Sequence, residues 1–323
     1  MRLTNKDLNL LFELSENSRT GYSKIGKKIR MSQQLISYKV KSYAHKGLIR
    51  SFFPVIDYAK LGYLSFRVFF KINYTNKNNF VSLLNKISKN NTITEIIECG
   101  GSYDVIITFS TKNPSAFNKV MKEIIYDYPN LKDYMILTNV VSHNFPRKYL
   151  VDMKNNIRDT IVGGDREVFS IDSVDKKILF ELQKSAIKSS IEIASSIKVS
   201  TKTVISRIRK LEKNKILLGY KPLLNLPAID YKLNKIFLTH HNLSRKREQN
   251  LINFCKTTPN VTGVIKLFGG WDVEINVETK TMEKFREIYT ELREKFQDII
   301  KDIESFPLYN IHKQQYMPDI FFE

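Results

Sequence analysis

The chain has 323 residues, of which 42% are hydrophobic, and a formal net charge of +19 with a pI near 9.6. This composition excludes a disordered polymer and leaves room for two or more domains with cores of their own. With no run of about 18 apolar residues, a membrane-spanning helix is excluded as well.

The opening "MRLTNKDLNL" has no apolar segment of the kind a signal peptide needs. Cys99 and Cys255 are too few for a disulfide framework or a thiolate metal set. They read as small buried residues of a protein in the reducing cytoplasm, and neither a metal nor a cofactor is expected. The cationic excess favours a polyanion such as DNA, RNA or an acidic membrane surface. A basic but inert surface accounts for the total charge equally well, so position has to decide.

The first predicted elements are three short helices. Leu8, Leu11, Phe12 and Leu14 make one apolar face, "YSKIGKKIR" is a second helix, and Leu35, Ile36, Val40 and Tyr43 recur at helical spacing in a third. Ser32 is placed to cap the third helix at its start and Gly47 at its end. The tail "GLIRSFFPVID" then has the look of a β-wing, completing a winged helix-turn-helix. Next come an alternating strand over Tyr63 to Tyr74, an amphipathic helix, the hairpin "ITEIIECG"/"YDVIITFS", a second helix and a final strand "LKDYMILTNVVS". The order βαββαβ is the ferredoxin-like pattern. A polar stretch from Asp152 to Val168, with Gly163-Gly164 and no sustained period, reads as a linker.

After it the chain repeats itself. "CGGSYDVIITF" and "FGGWDVEINVE" share a Gly, one residue, an aromatic, an Asp and an alternating run. The shift that carries Asp104 onto Asp272 also carries Asp7 onto Asp175, Ile25 onto Ile193, Ser32 onto Ser200, Pro54 onto Pro222, Phe69 onto Phe237 and Phe117 onto Phe285. The chain is therefore expected to be a tandem duplication. The fold class is α+β, two repeats of a winged helix-turn-helix followed by a βαββαβ domain. The expected domains are 1–55 and 169–222 (winged helix-turn-helix), 60–150 and 230–323 (ferredoxin-like) and the linker 152–168.

Charge is concentrated in the helical segments. Met1 to Phe52 carries 11 Lys/Arg against 3 Asp/Glu, and Ile171 to Lys221 carries 12 against 5, together 15 of the 19 net charges. A duplex presents one phosphate per roughly 1.7 Å of axis and rewards such a face. The third helices then present Gln33, Gln34, Ser37, Tyr38 and Lys41 in the first repeat, and Thr201, Lys202, Thr203, Ser206, Arg207 and Lys210 in the second, as candidate DNA-binding residues. Gln33 or Gln34 suits adenine, and Lys202 or Arg207 suits guanine or phosphate. Because the two helices differ, asymmetric half-sites are expected.

"IEIASSIKVSTKTVISRIRKLEKNKI", followed by G-x-W-D at Gly269 to Asp272, resembles the Lrp/AsnC family of transcription regulators. The first repeat is a looser match, with Gly26, Lys39 and Tyr43 where the family has Ala, Arg and Leu; it keeps Gly47 and G-x-Y-D at Gly101 to Asp104. The resemblance implies that the ferredoxin-like domains are regulatory modules that pair, here within one chain. It also implies that amino acids or similar effectors bind near Gly101, Ser102, Tyr103, Asp104, Gly269, Gly270, Trp271 and Asp272, and that chains assemble into homo-oligomers. A purely structural turn accounts for the two Asp residues as well.

Two other readings compete. Siroheme decarboxylases of haem biosynthesis resemble the same two-domain fold, and "SHNFPRKY" holds a His and an Arg suited to tetrapyrrole carboxylates. Against this, His240 and His241 point to opposite strand faces. No nucleophile–base pair, phosphate loop or carboxylate dyad is spaced for chemistry, so the chain is expected not to be an enzyme. The other reading is an architectural protein that coats DNA with little sequence choice.

Overall fold

Short caps and helical spacing build the first half of each repeat. In the computed structural model, which describes residues 3–73, 76–151, 159–241 and 243–323, the first repeat runs α1 (Asn5–Glu16), α2 (Tyr22–Ile29), α3 (Gln33–His45), β1 (Ile49–Ile56), β2 (Leu64–Ile72), α4 (Lys77–Ile87), β3 (Ile93–Cys99), β4 (Val105–Thr111), α5 (Pro114–Asp127) and β5 (Leu131–Asn144). After β6 (Thr160–Gly163) the second repeat runs α6 (Ser173–Lys184), α7 (Ser190–Ile197), α8 (Thr201–Lys213), β7 (Leu217–Leu224), β8 (Lys232–His240), α9 (Arg245–Thr257), β9 (Val261–Phe268), β10 (Val273–Thr279), α10 (Met282–Lys295) and β11 (Ile300–Gln314). Tyr74, the expected end of the first strand, and residues 152–158 of the connector lie outside the described residues. The rest of the connector contributes β6 at the end of a sheet, because Thr160–Gly163 pairs there with β5.

The chain divides into two units that interleave the repeats. One holds Met1–Asp57, Phe145–Thr160 and Ser170–Tyr231; the other holds Tyr58–Asn144, Ile161–Phe169 and Lys232–Glu323. The first contains both three-helix heads. Thr4 and Asp7 form a capping box on α1, and Ser32 and Ser200 accept the Leu35 and Thr203 amides at the starts of α3 and α8. Leu10, Leu11, Leu14, Ile25 and Ile36 are buried, and so are their equivalents in the second repeat, Ile178, Leu179, Leu182, Ile193 and Val204.

The tails after α3 and α8 do not fold back as hairpins. Each wing is a single strand, and the two complete one another: β1 and β7 form an antiparallel ribbon with Phe52 opposite Pro222 and Pro54 opposite Tyr220. The flanking bonds are reciprocal. Ser18 N–H donates to the Tyr220 carbonyl at 2.9 Å and Ala186 N–H to the Phe52 carbonyl at 3.0 Å; Asp57 N–H donates to Ile216 at 2.9 Å and Asn225 N–H to Leu48 at 2.8 Å. Exchanging each residue for its equivalent in the other repeat converts one bond of a pair into the other, which is the signature of a two-fold, isologous contact.

In the second unit each repeat supplies four antiparallel strands in ferredoxin-like order, β5-β2-β4-β3 and β11-β8-β10-β9. The edges join as β3–β11 and β9–β5, so eight strands close on themselves and β6 extends β5. Along β2, Phe66, Val68, Phe70 and Ile72 pack on Phe80 and Leu84 of α4 and Phe117 and Met121 of α5. The other face of β2 looks into the closed sheet. There Phe69 meets Phe237, Trp271 and Phe306 in a cluster that also takes Ile97, Ile106, Leu137 and Leu267.

The same interior holds charge. Arg67 on β2 and Lys235, its equivalent on β8, both bond the fully buried Glu274 carboxylate. Arg67 also reaches Glu95 at 3.1 Å, and Lys235 reaches Asn276 Oδ1 at 3.0 Å. Burial alone would raise the Glu274 carboxyl, but the two cations hold it below the usual carboxylate range. Position 106, equivalent to 274, is Ile, so this carboxylate belongs to one repeat only. Glu274→Gln leaves two buried cations short of a counter-charge. We expect it to cost about 3–5 kcal/mol, read from the denaturant midpoint.

Candidate nucleic-acid interface

On α3, Val40, Ile36 and Tyr43 turn inward while Gln33, Gln34, Tyr38 and Lys41 are exposed and Ser37 is half-buried. These five line one shallow depression. They occupy positions 1, 2, 5, 6 and 9 of the helix, a single face at 3.6 residues per turn. Tyr38 is 69% exposed, so its ring and hydroxyl stand open on this face.

On α8, Val204, Ile208 and Leu211 are buried. The five outward positions equivalent to those of α3 are Thr201, Lys202, Ile205, Ser206 and Arg209. Thr201 and Arg207 are half-buried, and Lys202, Ser206, Arg209 and Lys210 are exposed. Two of the expected residues are occupied within the head. Thr203 Oγ1 bonds the Ser200 cap at 2.8 Å. Arg207 reaches Asp172 at 2.5 Å and Asp175 at 3.3 Å. Its counterpart Lys39 reaches Asp7 at 2.5 Å, so the pair is a repeated brace between the first and third helices. Ile205 and Arg209 were not among the expected residues. The alignment of the repeats would have found them, since it sets Ile205 against Ser37 and Arg209 against Lys41.

The repeated glycine–aspartate loops have a structural part that the geometry makes explicit. Asp104 accepts the Ile72 amide at 2.8 Å and Lys71 Nζ at 3.2 Å; Asp272 accepts the equivalent His240 amide at 2.7 Å. Gly101 and Gly269 sit at φ +103° and +143°, and a Cβ there would stand 2.7 Å from the Phe306 ring and 2.6 Å from Leu137. Tyr103 and Trp271 enter the interior aromatic cluster, their rings 6.2 Å apart. Ser102 is exposed and donates to Glu304 at 2.7 Å, and Gly270 is exposed. The loops therefore seat one sheet against the other.

Both cysteines are buried, and burial pushes the Cys99 thiol up to about 12. No group of three or more His, Cys, Asp or Glu suited to a metal occurs among the described residues, and no helix there is long and apolar enough to cross a membrane.

Two helix-turn-helix heads joined by a strand ribbon, with a closed pair of ferredoxin-like sheets, define a tandem DNA-binding-type architecture. An AsnC-type helix-turn-helix domain matches residues 171–212. The chain is 25% identical over 145 residues to the HTH-type transcriptional regulator LrpB of Bacillus subtilis, covering 44% of this chain and 94% of that protein. It is 26% identical over 125 residues to the HTH-type transcriptional regulator Ptr1 of Methanocaldococcus jannaschii, covering 39% of this chain and 83% of that protein. The chain thus carries an AsnC-type helix-turn-helix domain and is similar to transcription regulators of the Lrp/AsnC family, each about half its length.

One expectation is corrected here. The siroheme decarboxylase NirDL, solved in complex with an iron-uroporphyrin III analogue, matches 98% of this chain and 94% of its own at a TM-score of 0.61 and 11% identity. The free enzyme matches 99% and 97% at 0.62. The complete two-repeat fold is thus shared with an enzyme, which overturns the expectation of no enzyme drawn from the lack of spaced catalytic motifs. That expectation failed because a fold hosts chemistry through residues gathered from distant strands, which local spacing does not show.

The brace inside the heads has a pH consequence. Burial works to raise the Asp7 carboxyl, but Lys39, Tyr43 and Thr4 together hold it well below the usual carboxylate range. A folded-state value depressed in this way adds stability above the ordinary carboxylate pKa of about 3.9 and loses it as pH falls. Melting temperature should therefore drop as pH falls below about 4, and Asp7→Asn should flatten that dependence while lowering the plateau at neutral pH.

Proposed function

We propose that the chain is a sequence-specific, double-stranded-DNA-binding transcription regulator that reads asymmetric half-sites with two different recognition helices. The observation that carries this reading is the outward face of the third helices. Two heads coupled through one ribbon present five equivalent positions each, and every one of the five differs: Gln33/Thr201, Gln34/Lys202, Ser37/Ile205, Tyr38/Ser206 and Lys41/Arg209. A homodimer must present identical heads and so favours palindromes; a fused pair is free of that requirement. Half-sites one helical turn apart, roughly 34 Å, suit the arrangement.

The regulator works in the cytoplasm as a homo-oligomer, and an amino acid or similar effector acts at the loops around Gly101–Asp104 and Gly269–Asp272. Selection of bound sequences from a random pool tests the main reading: an asymmetric pair of motifs supports it, and a strict palindrome opposes it. Discrete footprints distinguish a regulator from an architectural protein, which gives even coverage. With six to ten phosphate contacts, affinity should fall about 10³- to 10⁵-fold between 50 and 200 mM salt, and a flat titration would count against phosphate-led binding. A shift of operator affinity on adding amino acids, lost in Ser102→Ala, tests the effector site.

The full-length fold match favours a second reading, decarboxylation of a siroheme-type tetrapyrrole. His143, half-buried on β5, and Arg147 beyond it are the candidate partners for substrate carboxylates. Incubation with siroheme tests this reading: a Soret shift together with release of CO₂ supports it, and the absence of both removes it.

A further inference from the structure

We infer that the two heads divide the work on DNA: the first head selects the sequence and the second grips the phosphate backbone. This rests on the DNA-binding reading above. The observation behind it is a reversal of charge between the two helices of each head.

In the first head the cations precede the reading helix. α2 carries Lys24, Lys27 and Lys28 and no acid. Lys24 and Lys27 are exposed, and Lys28 is tied to Glu13 at 2.6 Å. The first two turns of α3, Gln33 to Tyr38, then contain no charge at all. They present two amides, a hydroxyl, Leu35 at 43% exposure and Tyr38 at 69%. Of the two cations on α3, Lys39 is held by Asp7, which leaves Lys41.

The second head is the reverse. α7 carries no cation and one acid, Glu192, and its outward face is Ile191, Glu192, Ser195 and Ser196. α8 carries Lys202, Arg207, Arg209, Lys210 and Lys213 against Glu212. Arg207 is braced by Asp172 and Asp175; Lys202, Arg209, Lys210 and Lys213 are exposed. Arg209, Lys210 and Lys213 lie in the last two turns, about 10 Å or more along the axis from Thr201 and Lys202 at the helix start, the end that meets base edges.

The chemistry follows from these placements. An amide offers a donor and an acceptor in fixed geometry and pairs bidentately with adenine, and exposed apolar carbon suits the thymine methyl. An ammonium donates to any phosphate and carries no sequence information. In a helix-turn-helix the first helix crosses the backbone and the second enters the groove. In the first head, α2 supplies the backbone grip and leaves α3 to read an A·T-bearing half-site. In the second, α7 supplies no such grip, so the later turns of α8 hold the backbone and its half-site is the less selective of the two.

The test uses the full chain and two double variants, each made at exposed positions and checked for an unchanged melting temperature. Q34A with Y38A should lower the ratio of selected-site to random-duplex affinity by about 5- to 150-fold and leave the salt slope unchanged. K210A with K213A should weaken all duplexes alike, reduce the slope of log affinity against log salt by about two, and keep the ratio. Lys210→Arg with Lys213→Arg should restore the slope. The opposite pattern, in which the α8 variant loses the ratio or the α3 variant loses the slope, overturns the division of work. A wild-type chain that ignores duplex DNA at low salt overturns the regulator reading instead.

Discussion

A four-stranded ferredoxin-like sheet has two edges and one face that its own helices do not cover. In this chain the two repeats cover each other: β3 takes β11, β9 takes β5, and the uncovered faces meet around Phe69, Phe237, Trp271 and Phe306. Closure removes edges that would otherwise recruit foreign strands. Because both sheets lie on one chain, the partner is always at hand, and the loop-closure cost grows only slowly with the length between them. The same two-fold logic governs the helical unit, where each wing strand finds its mate in the other repeat and reciprocal amide–carbonyl bonds flank the ribbon.

Fusion also releases the two copies from identity, and the structure shows where that freedom has been used. The interior keeps a cation at both equivalent sites, Arg67 and Lys235, but only one repeat supplies Glu274. The loops keep Gly101 and Gly269, whose backbone conformation and close neighbours exclude a side chain, while Ser102-Tyr103 and Gly270-Trp271 have diverged. The heads keep the acid–base brace of Asp7 with Lys39 and Asp175 with Arg207, while all five outward positions of the third helix have changed. The braces and the tight glycine turns are held twice, while an interior carboxylate and the outward helix faces have diverged.

The fold by itself leaves function open, since the sequence relatives are regulators while the full two-repeat fold is shared with a decarboxylase. The third helices turn amides, hydroxyls and cations outward. The interior, filled by aromatic rings and the charge cluster around Glu274, holds the two sheets together.

Much of this was legible in the sequence. A single shift, the one that lays Asp104 on Asp272, exposed the duplication, and the helical and alternating periods marked the elements. Ser32 and Gly47 marked helix ends because capping is a local matter. The outward faces of α3 and α8 were mostly legible as well, since a helix face is set by spacing along one segment. Three things came only from the tertiary structure. The wings proved to be halves of one ribbon, because pairing between strands of different repeats leaves no local trace. Arg207 proved to brace the head, because whether a cation is free depends on which carboxylate the fold brings beside it. And the repeated Gly–Asp sentence proved to close turns and seat one sheet on the other, because the neighbours that forbid a Cβ at Gly101 and Gly269, Phe306 and Leu137, come from the opposite repeat. Sequence determines what each segment can become; the partner that packs against it decides which of its residues are left to act.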